Sequence, residues 1–276
     1  MNVPAYTLRD GQSIPQIGLG TYRLDGAEGL ASMVQAIESG YRLLDTAYNY
    51  GNEAEVGQAL VRSGIDRAEL FVTTKLPGRH HGFDETLESF EESRARLDLD
   101  WLDLYLIHWP NPSVDRYVES WRAMIRLREK GLVRSIGVSN FTAPMLARLE
   151  DETGVVPAIN QVELHPYFPQ GGLRRYHDDH GIRTQSWSPL GRGSELLAEP
   201  VIVDLASAKG VSPARIVLRW HVQLGTIPIP RSRDAARQRE NLDVFDFELA
   251  QEEVAAISGL ERGRLWGADP DEHEEQ

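Results

Sequence analysis

The chain has no cysteine among its 276 residues. That excludes a disulfide framework and any thiolate metal site, and it fits a reducing compartment. Also missing is a basic amino-terminal stretch followed by an apolar run, since the chain opens Met-Asn-Val-Pro-Ala-Tyr. No uninterrupted apolar segment approaches the ~20 residues a membrane helix requires. The expectation is a protein that is neither secreted nor membrane-spanning, and therefore cytoplasmic. Positive charge is scarce: 29 Lys and Arg stand against 42 Asp and Glu, for a net charge of -13. Such a surface repels nucleic acid and anionic lipid, so any anionic ligand must be held by a local basic cluster. One exists at Arg231, Arg233, Arg237 and Arg239. No Pro/Ser-rich linker or shift of composition marks a boundary, so one domain over residues 1–276 is expected.

What is present is a repeat of short Val/Ile/Leu-rich runs, each followed by a longer segment of helical periodicity, the pattern of βα units around a parallel sheet. The strand candidates fall at 17–20, 43–45, 71–75, 102–108, 134–139, 159–162, 183–187 and 226–228. Eight parallel strands close a barrel, and such barrels run to about 250 residues, so the expected fold is an α/β (β/α)8 barrel. Outer helices are read at 85–97, with Leu87, Phe90, Ala95 and Leu97 as its apolar stripe, and at 117–127, with Val118, Trp121, Met124 and Ile125 on one face. Residues 6–8 and 13–14, joined by Asp10-Gly11, read as a hairpin able to plug the barrel bottom. Ser212-Pro213 opens a helix with Pro at its first position, and two more follow near 234–241 and 250–257. A Gly-, Asp- and Glu-rich tail, ending His273-Glu274-Glu275-Gln276, is expected to be mobile while its loop crosses the barrel mouth.

In these barrels the active site lies at the carboxyl ends of the strands, so the polar residues there are the candidates. They are Asp45, Lys75, His108, Ser139, Asn140, Gln161 and Trp187, with Tyr50 in the loop after the second strand. A phenol, an ammonium, a carboxylate and an imidazole can assemble a proton donor. An isolated tyrosine gives up its proton poorly at neutral pH, and an adjacent ammonium favours the phenolate and lowers its pKa. Asp45 would hold Lys75 by a charge-assisted hydrogen bond, and a neutral His108 would orient a substrate carbonyl.

Specific segments carry a resemblance. DTAYNYGNE (45–53), VTTKL (72–76), DLYLIHWP (103–110), SIGVSNF (135–141), NQVELHP (160–166), SWSPL (186–190), IPRS (229–232) and RQREN (237–241) occur in this order. Together they resemble the aldo-keto reductase signatures over nearly the whole chain, and the run ENLDVFDF (240–247) is similar to the bacterial 2,5-diketo-gluconate reductases. The resemblance implies a catalytic tetrad of Asp45, Tyr50, Lys75 and His108, with hydride delivered from the nicotinamide of NADPH. It further implies that Ser139, Asn140 and Gln161 bind the carboxamide and that Trp187 stacks on the nicotinamide ring. Gly20, Thr21 and Tyr22 would border cofactor and substrate. Ser188, Pro189, Leu190, Gly191 and Gly193 would follow the pyrophosphate. Arg231, Ser232 and Arg237 would hold the 2'-phosphate, with Glu240 and Asn241 at the adenine. Tyr22, Asn49, His108, Trp109 and Trp266 are the expected substrate walls, suited to small aldehydes and ketones such as diketo sugar acids and α-dicarbonyls. A monomer is the expected state.

Two positions depart from the family pattern. Arg231 stands where a lysine is usual, and Leu76-Pro77 lacks a tryptophan that many relatives carry at the pocket rim. Other readings are weaker. Asp45 and Lys75 alone would pass for a structural ion pair, His108 or Trp187 alone for core packing, and Ser139-Asn140 for a helix cap. Gly18-Leu19-Gly20 lacks the third glycine of a dinucleotide fingerprint, residues 137–141 lack the last glycine of a hydrolase elbow, and His177 with His180 finds no third ligand, so no metal is expected. The alternative function is a non-catalytic NADP(H)-binding regulatory or structural protein on the same fold.

Overall fold

The computed structural model describes residues 3–275. A hairpin of β1 (Ala5–Thr7) and β2 (Ser13–Pro15) leads into eight strands that pair in parallel in chain order. These are β3 (Leu19–Gly20), β4 (Leu43–Asp45), β5 (Phe71–Leu76), β6 (Leu102–Ile107), β7 (Val133–Ser139), β8 (Ile159–Glu163), β9 (Arg183–Trp187) and β10 (Ile227–Pro228). The first and last strands then meet. Gly18 N–H donates to the Pro228 carbonyl at 3.0 Å and Gly20 N–H to the Pro230 carbonyl at 3.1 Å, so the sheet closes on itself. Closure explains both glycines. A Cβ on Gly20 would sit 2.9 Å from the Ile229 carbonyl oxygen, and one on Gly18 would lie 2.6 Å from the Leu43 side chain.

The strands are buried on both faces, as a parallel sheet wrapped in helices requires. The inner face at the bottom is packed by Leu43, Phe71, Leu104, Leu106, Ile159 and Ile227, and the hairpin adds Leu8 and Ile14 to this cluster. The hairpin therefore is the plug that the sequence suggested, with Ile14 completely buried. Burying one such side chain contributes roughly 1.5–3 kcal/mol.

Outside lie α1 (Gly26–Ser39), α2 (Glu53–Arg62), α3 (Phe83–Leu97), α4 (Tyr117–Glu129), α5 (Ala143–Thr153), α6 (Gly171–His180), α7 (Pro200–Lys209), α8 (Pro213–Gln223), α9 (Ala235–Leu242) and α10 (Gln251–Ser258). Start signals in the sequence are used as read: the Ser212 hydroxyl accepts from Arg215 N–H at the head of α8, and the Asp234 carboxylate from Arg237 N–H at the head of α9. The stripe of α3 differs from expectation. Thr86, Ser89, Phe90, Ser93 and Leu97 are buried, whereas Leu87 is half-buried and Ala95 exposed. Small polar residues face inward because α3 is pressed between α2 and α4, where bulk does not fit and hydroxyls bond locally, as Thr86 does to the Gly82 carbonyl.

Candidate active site

The parallel register brings the carboxyl ends of β4 to β9 to one rim, and with them the polar residues that the sequence singled out. Asp45 ends β4, Lys75 lies near the end of β5, His108 follows β6, Ser139 ends β7, Gln161 lies in β8 and Trp187 ends β9. Tyr50 closes a single helical turn, Tyr48–Tyr50, which Gly51 terminates with φ of 66°. Two residues to which the sequence reading gave no role fix that turn. The Thr46 hydroxyl donates to Asn52 Oδ1 at 2.8 Å, while Asn52 Nδ2 donates to the carbonyls of Thr21 and Leu24 at 2.8 and 2.9 Å. Glu53 is buried, accepting from the Thr74 hydroxyl at 2.6 Å and from Arg96 Nε at 2.7 Å.

Lys75 and Asp45 form a buried ion pair. Lys75 Nζ lies 2.5 Å from Asp45 Oδ1 and donates to the Thr46 carbonyl at 2.8 Å. Asp45 Oδ2 accepts from Gln161 Nε2 at 2.7 Å, and that amide also donates to Gln185 Oε1 at 2.8 Å. The Gln161 amino group is thus committed, and its side-chain carbonyl oxygen has no donor among the described residues. Lys75 Nζ sits over the Tyr50 ring, 5.0 Å from its centroid, and the Tyr50 ring meets His108 at 5.8 Å and Tyr22 at 5.1 Å between centroids, both edge to face. Four groups therefore converge on one volume.

The electrostatics differ from the sequence expectation at one point. Burial, reinforced by the negative charges of Asp45 and Glu275, pushes the Tyr50 phenol well above its ordinary range rather than below it. Lys75, paired with Asp45 at 2.5 Å, does not outweigh these effects in the resting site. Burial also lowers Lys75 from its ordinary value, and Asp45 opposes that shift. Tyr50 therefore holds its proton throughout the neutral range.

On one side of this volume the groups suit a nicotinamide dinucleotide. Trp187 is half-buried, and its indole N–H donates to Asn140 Oδ1 at 2.8 Å, which fixes the ring plane. Asn140 Nδ2 donates to the His108 carbonyl and to the Ser139 hydroxyl, both at 3.0 Å. Beyond Trp187 the loop 188–193 has four residues at positive φ: Ser188, Gly191, Arg192 and Gly193. A Cβ on Gly191 would lie 2.5 Å from the Ser194 hydroxyl. Arg231 forms no ion pair or hydrogen bond among the described residues. Burial and the neighbouring cations Arg233, Arg192 and Arg23 all lower its pKa, so it stands in a field of cations. That field fits a phosphate-bearing ligand.

Residues of the basic cluster divide. Arg233 reaches back to Asp25 at 2.9 Å and to the Arg23 carbonyl, so it ties two loops together. Arg237 and Arg239 are exposed with no side-chain acid partner among the described residues. Ser232 caps Asp234 N–H at 3.0 Å. Glu240 is half-buried and Asn241 is buried, and the nearby Tyr41 hydroxyl donates to the Gln238 carbonyl at 3.2 Å. His177, considered for metal, is buried between Asn160 Nδ2 at 3.0 Å and the Thr184 hydroxyl at 2.8 Å, and burial lowers its pKa to about 3.

On the opposite side lie the expected substrate walls. Trp266 stands 5.7 Å from Trp187 and 5.6 Å from His165, ring to ring. Its loop is anchored by a feature the sequence contained but to which no role was given. Buried Glu163 accepts from Leu265 N–H at 2.7 Å and pairs with buried His165 at 3.0 Å. Both residues belong to NQVELHP, and only a contact over 102 positions reveals their purpose. The expectation of a mobile tail is corrected. Residues 273–275 are docked into the mouth: Glu275 contacts His108, Asn49, Gly78 and Asn111, and the His273 ring lies 4.2 Å from that of Trp109.

A phenol, a buried Lys–Asp pair and an imidazole at the carboxyl rim of a (β/α)8 barrel, with an anion-seeking arginine beside them, define a barrel enzyme equipped for acid–base chemistry next to a phosphate-bearing cofactor. The comparisons with known proteins specify it further. The chain belongs to the aldo/keto reductase family, whose profile matches residues 16–262. It is an enzyme, an oxidoreductase acting on carbonyl groups. Over 274 residues it is 64% identical to 2,5-diketo-D-gluconic acid reductase B of Corynebacterium sp., covering 99% of both chains. It is 45% identical over 272 residues, 98% of both chains, to methylglyoxal reductase DkgA of Escherichia coli. A variant of Gox0644 solved in complex with NADPH superposes with a TM-score of 0.94 at 44% identity, over 99% of this chain and 100% of that one.

Proposed function

We propose that the barrel mouth is the active site of an NADPH-dependent reductase of small aldehydes and ketones, with Tyr50 as the proton donor. The observation that carries this is the convergence of Tyr50, His108 and the Lys75–Asp45 pair on one volume. When bound, NADPH supplies a hydride from nicotinamide C4 to the carbonyl carbon. His108 orients the carbonyl oxygen towards the Tyr50 hydroxyl. As negative charge develops on that oxygen, Tyr50 transfers its proton to it, and the Lys75 ammonium limits the cost of the phenolate left behind. Asp45 and Gln161 keep Lys75 in register. Trp187 offers its face to the nicotinamide, and Ser139, Asn140 and the free carbonyl of Gln161 offer complementary groups to its carboxamide. The loop carrying Ser188, Pro189, Leu190, Gly191 and Gly193 follows the diphosphate. Arg231, Ser232 and Arg237 hold the 2'-phosphate, with Glu240 and Asn241 near the adenine.

The substrate class we infer is diketo sugar acids and α-dicarbonyls, a reading supported by the names of the two curated relatives. Residues 1–276 act as one domain, as a cytoplasmic monomer with no nucleic-acid or membrane partner. No helix among the described residues is long and apolar enough to cross a bilayer. The test is NADPH consumption followed by absorbance over a panel of diketo acids, methylglyoxal and steroid ketones. Higher kcat/KM for steroid ketones than for every small dicarbonyl would overturn the substrate class, and binding of NADPH without turnover on any carbonyl would overturn the activity.

A further inference from the structure

The substrate side of the mouth is occupied by the protein's own chain. Glu275 Oε1 lies 2.6 Å from His108 Nδ1 and accepts from Asn49 Nδ2 at 2.8 Å, while Oε2 accepts from Gly78 N–H at 3.0 Å. Asn111 clamps the backbone of the same residue from both sides, its Nδ2 donating to the Glu275 carbonyl at 2.6 Å and its Oδ1 accepting from Glu275 N–H at 3.0 Å. Glu274 accepts from Ser113 N–H at 2.7 Å, and His273 covers Trp109 at 4.2 Å. The Glu275 side chain is only 12% exposed. Three of the five residues read from the sequence as substrate walls, Asn49, His108 and Trp109, are therefore contacted by residues 273–275. Burial raises the Glu275 carboxyl, but His108 and the hydrogen-bond donors outweigh it and hold the group below its ordinary value, so it is ionised at neutral pH.

A carbonyl compound placed for proton transfer from Tyr50 must sit in this volume. Glu275 and the substrate cannot both hold it, because they require the same space and the same donors. The tail is held by reversible hydrogen bonds, the His108–Glu275 ion-pair contact and a ring contact, and it is tethered, so its effective concentration at the mouth is high whatever the protein concentration. We propose that residues 273–275 are a tethered competitor that closes the substrate side of the mouth, and that carbonyl compounds bearing a carboxylate displace it by taking over the donors of Glu275. This rests on the reading of the mouth as the active site.

One charge-assisted hydrogen bond retained net of solvation favours the closed arrangement by about tenfold or more. Apparent substrate affinity is reduced by the same factor, and removing the tail restores it. The expected result for Glu275→Ala, and separately for deletion of residues 272–276, is a KM about tenfold lower for a small 2-oxo acid, with kcat within about twofold of the parent. Thermal unfolding of each variant is measured alongside to exclude loss of fold, and the two variants check each other. A second readout does not depend on turnover: amide hydrogen exchange of residues 273–275 in the parent should accelerate at least about tenfold when propionate is added to saturation. An unchanged or raised KM in both folded variants, or exchange of these amides that propionate leaves unaltered, overturns the proposal. Absence of NADPH turnover in parent and variants alike would instead overturn the reductase reading, while the exchange experiment would still decide on the tail.

Discussion

Replacing Lys75 with methionine separates the structural from the chemical part of the buried pair. Lys75 and Asp45 are 0% and 1% exposed, 2.5 Å apart, and the ammonium has a second acceptor in the Thr46 carbonyl. Lys75→Met leaves the Asp45 carboxylate buried with only the Gln161 amide at 2.7 Å. Leaving one charge of a buried pair without its partner costs about 3–5 kcal/mol, whereas removing both charges together is often close to neutral. Asp45→Asn with Lys75→Met should therefore recover most of the loss, to within about 1.5 kcal/mol of the parent, since an asparagine carbonyl can still accept from Gln161. Urea unfolding followed by circular dichroism measures both variants. Reductase activity should be lost in both, because neither retains the ammonium beside Tyr50. If Lys75→Met alone stays within about 1 kcal/mol of the parent, the carboxylate is not held there as an ion and the reasoning fails. If the double variant is as unstable as the single one, packing rather than charge governs the site.

Further expectations follow from the arginine field and from a buried histidine. Arg231→Ala combined with Arg237→Ala should weaken NADPH binding at least about tenfold and spare NADH, measured by fluorescence titration, since charge-assisted bonds to a phosphate are lost; equal weakening of both cofactors would assign these residues to folding or to the shared diphosphate. His177 has its folded-state pKa lowered to about 3 from 6.5. The unfolded chain therefore binds the extra proton first, and stability falls as pH drops from 6.5 towards 3. A gap of about two pH units between 6.5 and an assay near pH 4.5 corresponds to about 3 kcal/mol from this residue. His177→Gln, compared with the parent between neutral pH and about pH 4.5, should flatten that loss, and an unchanged slope would show that His177 is not the group responsible.

Much of this architecture was legible because its signals are local. Residues 43–45 and 183–187 were bounded in the sequence as they are in β4 and β9, although only β4, Leu-Leu-Asp, has the apolar character of a strand buried on both faces, and β9 is Arg-Thr-Gln-Ser-Trp. The grouping of Asp45, Lys75 and His108 was legible because equivalent strand ends recur along the chain, and Tyr50 follows in the loop after the first of them. What escaped is long-range. The docking of Glu275 joins residues 164 to 226 positions away, and a Gly/Asp/Glu-rich tail carries no periodicity that announces it. The anchoring of the Trp266 loop by Glu163, the pairing of Arg233 with Asp25, and the inward hydroxyls of α3 depend on neighbours that only the closed barrel supplies. The direction of the Tyr50 shift was misread for a related reason. A lysine seen alone in a sequence promises a positive field, and only the folded chain shows the burial of the phenol and the nearby carboxylates that outweigh it.

The central claim, that Tyr50 gives the proton, is tested most directly by Tyr50→Phe under single-turnover conditions, with NADPH bound and a small dicarbonyl added. General acid catalysis contributes typically 10²–10⁴-fold, so the rate of the chemical step should fall by about that range while the NADPH dissociation constant stays within about twofold of the parent. A variant that retains more than about half of the parent's single-turnover rate would contradict the assignment and place the proton source elsewhere.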